Sequence, residues 1–188
     1  RSEMTVRDSS QVKSAIGNNG DFSTNPNILY QKAAPVESEA FKAWFGESKV
    51  VDDNGNPLVV YHGTIQSFNV FRMGDIGFHF GDIEQAETRV EGETDPNIMG
   101  VYLSIENPYI SSYDYGSWDG DYVARGFIER GEFTDDADVA ILKNIAKHQA
   151  PRSSTELRKF LRDKGYDGVV YPNGFESEGD NDSYIAFS

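Results

Sequence analysis

Short apolar runs are interspersed with helical patterns along this chain without regular βαβ alternation, and that order constrains the fold more than any other feature. Regular alternation builds a parallel sheet buried on both faces. Its absence predicts an α+β domain, a twisted, mostly antiparallel split sheet with flanking helices. The strongest local signal is Asp53-Asn54-Gly55-Asn56-Pro57 between strand-like Lys49 to Asp52 and Leu58 to Tyr61, because Asn-Gly supplies the positive φ angles of a tight hairpin turn. Gly77 to Gly81 reads as a short aromatic strand. Met99 to Ile105 is a strand closed by Asn107-Pro108 and continued by Tyr109 and Ile110, and Asp167 to Tyr171 and Ser183 to Phe187 are the last two.

Helices fall between these runs. Ser38 caps a short one whose Ala40, Phe41, Trp44 and Phe45 share a face, and Gly46 stops it. Asp82 caps a second over Asp82 to Val90, with Ile83 and Ala86 inward. Asp121 to Arg130, Asp136 to His148 and Ser154 to Lys164 are three more, the last capped by Ser153 or Ser154 and ended by Gly165. Residues 1–34 are polar, rich in Asn, Gly and Ser, with no sustained period beyond a short stretch near Val6 to Ile16, and read as an arm or the remnant of an upstream module, or over Arg1 to Gln31 as a segment that docks beside the last strand; the packed domain is expected over 35–188.

Composition removes several function classes. With 188 residues, 38% of them hydrophobic, the chain can bury a core. It has no cysteine, which excludes disulfides, thiolate metal sites and cysteine nucleophiles. No run approaches the ~20 apolar residues of a membrane span, so a soluble protein with no membrane partner is expected. A formal charge of −14 opposes contact with a phosphate backbone, which disfavours nucleic acid as partner. The acidic stretches Glu129 to Asp138 and Glu176 to Asp182 read as solvated loops. Histidines at 62, 79 and 148 have no metal-ligand spacing, so no metal is expected, and His148 near Lys143 and Lys147 is expected to face solvent.

Three segments carry candidate chemistry. In Leu58-Val59-Val60-Tyr61-His62-Gly63-Thr64 an apolar strand ends on a polar ring and a glycine, where another molecule can approach the main chain. The Gly63 backbone, the Thr64 hydroxyl and the His62 ring together suit a ribose hydroxyl and an amide; a strand-end histidine that only holds the fold is the plainer alternative. In Gly77-Phe78-His79-Phe80-Gly81 an imidazole alternates with aromatic rings, which fits either ordinary core or a stacking wall for a flat ring. The third segment is the acidic loop Asn173 to Asp182 before the last strand, where Glu176-Ser177-Glu178 places two carboxylates between glycines. Such loops are commonly just solvated, but a carboxylate there would stabilise an oxocarbenium-like transition state.

The strings FKAWFGESKVVDDNGNPLVVYHGT, GFHFGDIEQA, VYLSIENPYISSYDYGSWD and LRDKGYDGVVYPNGFESEGDNDSYIAF, in this order, resemble the ADP-ribosyltransferase-like domains of phage and mobile-element polyvalent proteins. That family is similar in fold to the diphtheria-toxin and poly(ADP-ribose) polymerase branch. The resemblance implies NAD⁺ as substrate. It implies that His62 contacts the ribose next to the adenine, that the Gly63 backbone binds the nicotinamide carboxamide, and that Thr64 supports the strand end. It also implies that His79 or Phe80 walls the nicotinamide.

Two departures accompany it. Thr88 or Arg89 stands near the place of the branch's second tyrosine, and Ser183 stands where its catalytic glutamate precedes Tyr184-Ile185. Glu176, Glu178 and Asp182 are the nearest carboxylates, and Glu176 fits best where related domains carry a loop glutamate. The function so implied is transfer of ADP-ribose from NAD⁺ to an acceptor, a host protein given the charge, in a phage- or toxin-associated setting, with the cytoplasm of a bacterial host cell as the expected location and delivery as part of a larger protein as one route to it. A binding module that has lost turnover and an NAD⁺ glycohydrolase toxin are the competing expectations.

Overall fold

The computed structural model describes residues 11–15, 36–65, 76–174, 176 and 181–188. Most of the polar arm, the loop with Phe68 and Phe71, and Glu178 lie outside the described residues. The chain divides into two compact units. One holds the described residues before position 73, Phe80–Glu106 and Ser188; the other holds those of 73–79 and Asn107–Phe187.

The first unit contains an antiparallel three-stranded sheet in the order β1 (Val12–Ser14), β4 (Asn97–Leu103), β2 (Val60–Thr64). One face is apolar because Val12, Leu103, Val60 and Val101 fall on it by strand alternation, and all four are buried. The polar arm thus supplies a strand: Val12 is fully buried, and Gln11 donates through Nε2 to the Ser104 carbonyl and accepts at Oε1 from the Ser188 amide. On the opposite face helix α1 (Glu39–Phe45), capped by Ser38, sets Phe41 edge-on against Tyr102 with ring centroids 5.1 Å apart. Ala40, expected on that apolar face, is exposed.

The expected hairpin is a tight turn with little strand. Val51 and Pro57 form an isolated bridge, and Asp52 holds the turn by accepting from the Asn54 and Asn56 amides at 2.9 and 2.8 Å. Gly55 takes positive φ and Asn54 does not, so an aspartate-centred turn replaces the two-residue one that Asn-Gly alone suggests. Helix α2 (Ile83–Arg89) opens with a capping box: the Asp82 carboxylate accepts from the Gln85 amide, and the Gln85 side chain accepts from the Asp82 amide. That bond turns Gln85 inward, where it is 2% exposed, and leaves Ile83, expected inward, at 44%.

The second sheet runs β3 (Phe78–Phe80), β7 (Asp182–Ala186), β6 (Gly168–Pro172), β5 (Pro108–Ile110), with β7 antiparallel and β5 parallel to β6. The residues after Asn107-Pro108 therefore form a separate strand rather than a continuation of β4. Helices α3 (Gly120–Arg130), α4 (Asp136–Ile145) and α5 (Arg152–Asp163) cover one face of this sheet. Phe127, Leu142, Leu157 and Leu161 meet Val169, Tyr171 and Ile185 in one buried cluster. Among the described residues the fold is α+β with mostly antiparallel sheets, as expected.

Three side chains depart from expectation here. Ser154 does not cap α5; it is buried and its Oγ accepts from the Gly120 amide at 3.1 Å, tying α5 to α3. His148 does not face solvent freely; its Nδ1 lies 2.7 Å from a Glu156 carboxylate oxygen. Asp138, within the first acidic stretch, is 8% exposed and paired with Lys164. None of the described helices is long and apolar enough to cross a membrane.

Candidate active site

In the first unit His62, Gly63 and Thr64 end β2, which is the outer strand of its sheet. Backbone N–H and C=O of one strand residue point to the same edge, and those of the next to the other. Tyr61 pairs outward with Gly81, donating to its carbonyl at 2.7 Å and accepting from its amide at 2.9 Å. Gly63, two residues on, therefore aims its N–H and C=O along that same outer edge. A donor and an acceptor side by side match a primary carboxamide.

Gly63 lacks a side chain for an intramolecular reason. A Cβ there would overlap the Ala86 carbonyl oxygen of α2 well inside van der Waals contact. The space expected to admit a ligand over the Gly63 Cα is filled by the protein's own helix, and approach is left to the strand edge. His62 lies on the other face of β2, half-buried, its ring 5.7 Å from that of Phe80 and tilted by 54°. Phe80 is buried at 3% exposure. The first unit thus brings His62, Gly63, Thr64 and Phe80 to one place. His79, half-buried, points to the opposite face of β3 from Phe80 and belongs to the second unit.

The second unit holds Glu176. Asn173, just past β6 and 2% exposed, donates from Nδ2 to Glu176 Oε2 at 2.8 Å and to Ser183 Oγ at 3.0 Å. Its Oδ1 accepts from the Glu176 amide at 3.1 Å. Asp114 accepts from the Gly116 amide at 2.8 Å. Burial pushes the Asp114 carboxyl up, and the neighbouring Glu176 charge adds to that push. Asp182, the first residue of β7, is exposed, and partial desolvation raises its carboxyl too. Tyr184 is pushed up to about 12 by burial, with the Asp182 charge adding.

Asn173 and Asp114 were not singled out by sequence reasoning. Asn173 stands three residues before Glu176, and Asp114 two before Gly116, each the spacing of a side chain that bonds the backbone ahead of it. Among the described residues no group of His, Asp or Glu is placed to hold a metal ion.

The family described as ADP-ribosyltransferase in polyvalent proteins matches residues 52–188. No curated protein and no solved structure matches the chain significantly. The family match takes in β2 with its glycine edge, the aromatic strand β3 and the Asn173–Glu176 loop together. The chain belongs to the family of ADP-ribosyltransferase domains found in polyvalent proteins.

Proposed function

We propose that this domain transfers ADP-ribose from NAD⁺ to a protein side chain. The observation that carries this reading is the outward-facing N–H and C=O of Gly63 beside the His62 and Phe80 rings. That edge complements a carboxamide, and the aromatic ring offers a wall to its pyridine. The bond between the ribose C1′ and the nicotinamide nitrogen breaks, and its electron pair leaves with nicotinamide. A lone pair on the acceptor forms the new bond to C1′, and the acceptor's proton passes to solvent. Positive charge develops on the ribose along the way, and the Glu176 carboxylate stabilises it. His62 holds the ribose next to the adenine and orients rather than reacts, with Thr64 supporting the strand end. With the chain at −14, an acceptor on protein is favoured over one on DNA.

The test is labelled NAD⁺ incubated with the domain and bacterial lysate, comparing wild type with His62→Ala and Glu176→Ala. Loss of a single electrostatic stabiliser costs about 100- to 1,000-fold in turnover, so Glu176→Ala should leave almost no labelled protein. His62→Ala should weaken labelling mainly through KM. Undiminished labelling by both variants would sink the assignment. Nicotinamide release without any labelled protein would identify a glycohydrolase, and no release at all a binding module.

A further inference from the structure

We propose that Asn173 positions Glu176 for catalysis by tying it to Ser183; the proposal rests on the transferase reading above. A primary amide offers two N–H donors and a carbonyl acceptor. Asn173 directs both kinds at the same two neighbours, its Nδ2 to the Glu176 carboxylate and to Ser183 Oγ, its Oδ1 to the Glu176 amide. It is almost wholly buried, so these bonds fix its rotamer, because a buried amide without partners would be costly.

Glu176 is consequently held at two points, by its backbone and by its carboxylate. Ser183 anchors the other end. It is 2% exposed, stands opposite Tyr171 in the β6–β7 ladder, and directly precedes Tyr184-Ile185. That is the position where the resembled branch carries its glutamate. Here a strand serine and a loop glutamate share one amide, so a carboxylate that does not grow from the strand is referenced to it.

The amide cannot be replaced by its closest isostere. Asn173→Asp keeps the shape and the acceptor but loses both donors, and it sets a second negative charge against Glu176. Misplacing a reacting group by about 1 Å costs on the order of 100-fold. Asn173→Asp should therefore lower kcat for nicotinamide release from NAD⁺ by about 100-fold, with KM for NAD⁺ changed by no more than roughly twofold.

The second measurement does not depend on turnover. In ¹⁵N spectra of the intact domain the Asn173 side-chain amide signals should shift in Glu176→Ala and in Ser183→Ala. Signals unmoved by either substitution overturn the clamp whether or not NAD⁺ is consumed. Wild-type kcat retained in Asn173→Asp overturns its positioning role while leaving the transferase reading intact. No nicotinamide release from wild type removes the transferase reading, and the catalytic part of this proposal with it, even where the amide signals do shift.

Discussion

A single side chain, Asp114, shows how the second unit's chemistry depends on pH. Burial and the nearby Glu176 raise its carboxyl, so the folded state binds that proton more tightly than the unfolded chain does. The stability it contributes is fully present below the ordinary aspartate range of about 3.9 and is lost as pH rises through the raised value. Asp114→Asn keeps an oxygen for the Gly116 amide and abolishes the titration. Its stability relative to wild type should accordingly increase from pH 4 to pH 7, measured by urea denaturation; a constant difference across that range would count against the assignment. The Asp114–Gly116 spacing marked a local turn, but not the nearness of Asp114 to Glu176, some sixty residues along the chain. His62 and Gly63 were legible because a polar ring and a glycine interrupt an apolar run locally.

Among the elements, α2 and β2 are a closely fitted pair. The helix reaches the strand at Gly63, where a Cβ would strike helix backbone rather than a movable side chain. Gly63→Ala should cost about 1–3 kcal/mol as α2 is pushed off the strand, exceeding the ~1 kcal/mol expected for losing the Asp82 cap in Asp82→Ala. Urea midpoints of the two variants check this order, and a neutral Gly63→Ala would contradict it. The glycine itself was readable and its reason was not: one sequence signal serves close approach by a ligand and by a helix alike. Asp82 at the head of α2 was legible as a cap, but Ile83 was assigned inward because periodicity ignores the pull of a capping box on Gln85. Ser153 and Ser154 misled in the same way, as they have cap chemistry but are spent on packing α5 against α3.

For the molecule as a whole the class of fold followed from the order of strands and helices, while the limits of the folded part did not. The strand Val12–Ser14 falls in the short periodic stretch near Val6 to Ile16, but three residues are too few to mark a strand, so a polar arm hid a buried valine. Val12→Ala should destabilise the domain by roughly 2 kcal/mol, and a substitution without effect would mean that β1 is dispensable to the first unit. The strand's partners are far along the chain: Val12 pairs with Leu103, and Gln11 bonds to Ser188, 177 positions away. Contacts that close over such spans are slow to form, because chain entropy is lost before they contribute. As the polypeptide leaves the ribosome, Val12 to Ser14 emerge with no sheet to join until β4 has been made. Gln11 waits for Ser188, 177 positions on, so a segment made ahead of its partners is among the last to find its place.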